Sequence, residues 1–80
     1  MGSSMESRRS GEFDPSLPGI RQLQGWIRSR TNLAVQLLEG SSVTGVPRWV
    51  DVDFLALQPE GSSELVLVGR GAIALIRPLV

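Results

Sequence analysis

The sequence predicts a small α+β domain, mainly β, in which one N-terminal helix precedes five short strands bent into a small barrel. Three observations carry this. Apolar residues recur at helical spacing over 17–27 and switch to strand-like alternation from Leu33 onward. Turn residues then punctuate the chain at short intervals, at Glu39-Gly40, Pro59-Glu60-Gly61-Ser62 and Gly69-Arg70-Gly71. The segment Val43–Val50 holds Gly45 and Pro47, which a flat interior strand tolerates poorly and a sharply curved one accommodates.

The elements follow in order. Residues 1–15 are rich in Ser, Gly and charge and read as a disordered tail, ahead of a single domain over 16–80. Met1–Ser4 contributes nothing to the expected fold. Asp14-Pro15-Ser16-Leu17-Pro18 predicts a helix entry, with Ser16 capping the first free N–H groups and Pro18 in the first turn. Leu17, Ile20, Leu23 and Ile27 then form the apolar face of a helix, with Trp26 beside it. Arg28 and Arg30 fall in its last turn, where cations complement the helix dipole, and Thr31-Asn32 ends it. Leu33, Val35 and Leu37 share one face of the first strand, and Glu39-Gly40 turns the chain into a hairpin. The remaining strands are expected at Val43–Val50, Phe54–Gln58, Glu64–Val68 and Ala72–Arg77, with Pro78 closing the domain. The expected core is Ile20, Leu23, Ile27, Leu33, Val35, Leu37, Leu55, Leu57 and Ile73, with Phe54 also assigned to the interior.

Composition removes whole classes of chemistry. The 80 residues contain no cysteine and no histidine, and every basic residue is arginine. Disulfides, thiolate metal sites, imidazole proton shuttles and lysine Schiff bases are therefore unavailable. Asp51 and Asp53 form the one close carboxylate pair, and they read as polar positions at a strand start rather than as an acid–base pair. No enzyme activity, metal or cofactor is expected. The formal net charge is +0, which argues against a generally phosphate-seeking surface, although arginine suits phosphate forks and base stacking. The longest apolar run, Ala72–Ile76, is far too short to span a bilayer, and no apolar stretch follows Arg8 and Arg9 as in a signal peptide. The expected location is cytoplasmic, with no membrane insertion. A domain this small buries only ~60% of its unfolded surface, and without disulfides or a metal it is expected to associate with copies of itself.

Four segments carry a resemblance to a known family. They are Leu17-Pro18-Gly19-Ile20-Arg21-Gln22, Val35-Gln36-Leu37-Leu38-Glu39-Gly40, Arg48-Trp49-Val50-Asp51-Val52-Asp53 and Ala72-Ile73-Ala74-Leu75-Ile76-Arg77-Pro78. Their order and spacing resemble the Hfq family of Sm-like RNA chaperones, in its cyanobacterial branch, over about residues 16–79. The resemblance implies an Sm-like (SH3-like) barrel and a homohexameric ring, in which the fourth strand of one subunit pairs with the fifth of the next. It also implies single-stranded RNA as partner, on three surfaces.

At the proximal pore, the family's Tyr-Lys-His tripeptide is matched by Gly69, Arg70 and Gly71, and its stacking aromatic by Asp53. Arg70 reads either as a phosphate contact or as a solvated turn residue. On the distal face the matching positions are Gln36, Ser41, Ser42 and Thr44, with no aromatic platform. On the lateral rim, Arg28 and Arg30 match two of the family's arginine positions, and Ile27 occupies a third. The resemblance thus implies post-transcriptional regulation through weak, mostly electrostatic RNA contacts. The alternative is a scaffold ring that docks protein partners, motility-related ones for example, with little RNA binding.

Overall fold

The computed structural model describes residues 14–79. A helix, α1 (Pro18–Ser29), leads into β1 (Leu33–Leu37), β2 (Ser42–Val50), β3 (Phe54–Gln58), β4 (Val66–Gly69) and β5 (Ile73–Pro78), with a 3₁₀ turn at Arg70–Ala72 before the last strand. The five strands make one antiparallel sheet in the order β4-β3-β2-β1-β5. Within one chain, therefore, β4 and β5 are the two edges. The expected disordered tail lies almost wholly outside the described residues.

The helix begins differently from the sequence reading. Leu17, not Ser16, is the N-cap, with no side-chain cap, and Pro18 occupies the first turn as expected. Ser16 turns back instead: its backbone N–H and its hydroxyl both donate to Asp14 Oδ1, at 2.9 and 2.7 Å. The short Asp14 side chain competes successfully for the serine that would have capped the helix. At the other end Arg30 adopts a left-handed conformation, φ 56°, and its N–H donates to the Ile27 carbonyl at 3.2 Å.

β2 makes the sheet curve. Its first half, Ser42–Gly45, pairs with β1, and its second half, Val46–Val50, pairs with β3. Gly45 sits at the crossover, and its role is more specific than bending. A Cβ there would lie 2.8 Å from the backbone oxygen of Gln58, a separation that real side chains do not tolerate. Between Pro47 and Trp49 the register shifts, so Pro47 faces Leu57 while Trp49 faces Ala56. This bulge breaks the alternation read from sequence. Gly45 and Pro47 are both buried, but Trp49, of the same parity, is exposed.

The core comprises Leu23, Leu33, Val35, Leu55, Leu57 and Val68, with Trp26, Leu37, Val43, Val50, Ile73 and Ile76 packed half-buried around it. Ile20 is buried too. Leu37, Ile73 and Ile27 are thus only half-buried, a correction to the expected core. Leu37 lies at the irregularity in the β1–β5 register, and Ile73 opens an edge strand, so neither is covered on all sides. Phe54 is also corrected: it is 41% exposed, because alternation along β3 sends Leu55 and Leu57 inward. β4 starts two residues later than expected, at Val66, and Leu65 before it is exposed. Among the described residues no polar or charged side chain is buried.

Candidate nucleic-acid interface

The turn between β2 and β3 is organised by Asp51. Its Oδ1 accepts the backbone N–H groups of Asp53 and Phe54 at 2.9 and 2.8 Å, and its own N–H donates to the Phe54 carbonyl at 2.9 Å. This is an Asx-type turn, which gives the Asp51 carboxylate a structural role. The turn leaves two backbone carbonyls facing the 3₁₀ turn. The Asp53 carbonyl accepts the Arg70 N–H at 2.8 Å, and the Asp51 carbonyl accepts Arg70 Nη1 at 2.6 Å. The two proximal residues picked out from sequence, Arg70 and Asp53, thus meet in space. Asp53 contributes its backbone to this contact, while Arg70, half-buried, is held by both ends.

The distal positions also share one place. Gln36 on β1 pairs directly with Ser42 on β2, and Ala34 pairs with Thr44 one step along. These residues alternate with Leu33 and Val35, which are fully buried, so Gln36, Ser42 and Thr44 lie on the face turned away from the core. Ser41 sits in the preceding turn, where Glu39 Oε1 accepts its N–H at 3.0 Å. Gly40 enables that turn with φ 108°. The row is polar and holds no aromatic ring.

Arg28 and Arg30, the two positions expected on a rim, are both exposed at the C-terminal end of α1. The carbonyls there are already occupied, Trp26 O by the Thr31 N–H at 3.0 Å and Ile27 O by Arg30. Sequence reasoning missed a third arginine close by. Arg48, exposed on the bulged part of β2, donates through Nη1 to Gln58 Oε1, and it lines a concavity of about 290 Å³ together with Arg30. Only the strand pairing could have revealed it, because Arg30 and Arg48 belong to separate elements. Among the described residues no group of acidic side chains is placed to hold a metal ion, and no helix is long and apolar enough to cross a membrane.

A helix set on a strongly bent five-stranded sheet, with the helix first and a one-turn link between the last two strands, is the Sm-like fold. The chain belongs to the Hfq-related family, whose model matches residues 17–78. Among solved structures, an Hfq protein from Anabaena sp. superposes with a TM-score of 0.70 at 30% identity, covering 80% of this chain and all (100%) of that one. A crystal structure described as the pleiotropic translational regulator Hfq matches in fold with a TM-score of 0.73 at 19% identity, over 85% of this chain and 100% of that one. No curated protein sequence matches the chain.

Proposed function

We propose that the chain assembles into a homohexameric ring that binds single-stranded RNA, weakly and mainly through arginine–phosphate contacts, in post-transcriptional regulation. The supporting observation is the placement of its arginines. Arg70 is tied across two turns, Arg28 and Arg30 are exposed at the helix end, and the positions matching the family's base-stacking aromatics hold Asp53 and Gln36. Guanidinium groups without stacking rings recognise the RNA backbone rather than the base. The edges support the ring. β4 and β5 each leave one side unpaired in a single chain, and Val66, Leu67 and Leu75 on them are exposed apolar residues. Pairing β4 of one copy with β5 of the next removes every edge.

A second reading has its own support. Trp49 and Leu67 flank the fully buried Ala56 on the outer face of the sheet, and Phe54 lies on the same face. Such a patch suits a protein partner, as in a scaffold ring with little RNA affinity. Fluorescence anisotropy with labelled U-rich and A-rich RNA at several salt concentrations separates the two. Binding that weakens steeply with salt and is similar for both RNAs supports the first reading. No binding even at low salt gives the case to the scaffold.

A further inference from the structure

We propose that the concavity between the end of α1 and the β3–β4 loop is a phosphate-binding cup, built by Arg30 and Arg48 and occupied by one backbone phosphate of bound RNA. This rests on the RNA-binding reading and adds a site to it. The two arginines come from different elements: Arg30 caps the helix in a left-handed conformation, and Arg48 sits on the β2 bulge. Arg48 is held in position. Its Nη1 donates to Gln58 Oε1, and Gln58 Nε2 in turn donates to the Ser62 carbonyl at 3.0 Å. The loop closes on itself through the Ser62 N–H, which donates to the Pro59 carbonyl at 3.1 Å. A guanidinium fixed through one nitrogen keeps its other donors in a set fork, the geometry that suits phosphate oxygens.

Charge points the same way. The cup, about 290 Å³, has room for a phosphate with its water shell. Its charged lining is Arg30, Arg48 and Glu60, a net excess of one positive charge. None of its residues belongs to β4 or β5, so pairing of those edges in a ring leaves the cup open. Arg30 is also one of the rim positions of the proposed RNA-binding ring, so a strand that follows that rim passes over the cup.

The test uses the full chain and its variants Arg48→Gln, Gln58→Leu and Glu60→Gln, with folding checked by thermal unfolding and assembly by light scattering. Labelled U-rich and A-rich RNA are titrated at several salt concentrations. Inorganic phosphate is titrated separately, following the arginine Nε–H signals by NMR. Arg48→Gln should weaken both RNAs by a similar factor, roughly three- to tenfold, and flatten the salt slope by about 0.7, the share of a single phosphate. Gln58→Leu, which keeps the charge but frees the guanidinium, should weaken binding less, and Glu60→Gln should tighten it. If the unmodified chain binds RNA and Arg48→Gln changes neither affinity nor slope, the cup is overturned and the RNA reading stands. Weakening confined to one RNA sequence also overturns it, because that marks base recognition. If the unmodified chain binds no RNA, the RNA occupant falls with the function. Saturable phosphate shifts at Arg30 and Arg48 would then keep the cup as a free-phosphate site, and their absence would overturn it.

Discussion

Single residues carry the clearest physical demands. Gly45 is surrounded by backbone that cannot retreat, since a Cβ would lie 2.8 Å from Gln58 O and 2.9 Å from Gln58 C. Gly45→Ala should therefore push β2 away from the end of β3 and destabilise the protein by about 1–3 kcal/mol, read from denaturant unfolding. A change under about 0.5 kcal/mol would mean that the strands separate freely there. Leucines grade with their cover. Leu57 is 0% exposed on β3, between β2 and β4, so Leu57→Ala should cost ~2–5 kcal/mol. Truncating Leu37, half-buried at a register irregularity, should cost clearly less, about 1–2 kcal/mol. Equal effects at the two sites would show that both side chains are equally covered in solution. The pattern of apolar residues identified Leu57 and Leu37 as inward-facing, but their different cover depends on what strands from elsewhere in the chain place over them.

At the scale of the element, the helix is less well built than its amphipathic face implies. It has no side-chain N-cap, and Gly25 lies in its interior. A Cβ at Gly25 would meet only Arg28 Nη2, at 4.0 Å, so Gly25→Ala should stabilise the protein by about 0.5–1 kcal/mol through helix propensity. A destabilisation would show that the helix packs more tightly there, as against a neighbouring copy. The turn before the helix depends on pH. Hydrogen bonds from the Ser16 hydroxyl and then from its backbone N–H hold the Asp14 carboxyl below its ordinary value of 3.8. A depressed folded-state pKa means a contribution present above the ordinary value and lost as pH falls through the lowered one. The Ser16 amide resonance should therefore keep its position down to about pH 4 and move only in stronger acid. Movement centred above the ordinary value would contradict the turn. The sequence assigned Ser16 to the helix as its cap, whereas Asp14 holds it, because Asp14 and the free helix N–H groups compete for the same local partner.

For the whole molecule, the proposed assembly is tested at the two edges left unpaired in one chain. The exposed Leu67 on β4 and Leu75 on β5 are 49% and 43% accessible in one chain, so charges there cost little within the chain itself. The double variant Leu67→Glu, Leu75→Glu should keep its strand content by circular dichroism and yet fail to assemble. Light scattering at micromolar concentration should give six chain masses for the unmodified protein and a smaller particle for the variant. A monomer in the unmodified protein, or a ring that survives the charges, would show that these edges do not join the copies.

What the sequence determined by itself was local. Helical spacing followed by alternation located one helix and five strands in order, and glycine, proline and acidic residues marked the turns between them. These signals lie within a few residues of the structure they specify, so they survive without knowledge of pairing. The absence of cysteine and histidine ruled out thiol and imidazole chemistry in the same direct way. The tertiary structure decided what depends on register between distant segments. It brought the Asp51–Asp53 turn to Arg70 and laid Gln36 against Ser42. Through one extra residue between Pro47 and Trp49, it turned Arg48 and Trp49 both to the outside. A bulge reverses the facing of every later position in its strand, and neither its site nor its partner strand is written in local periodicity. Arg48 therefore came within reach of Arg30 only in the fold.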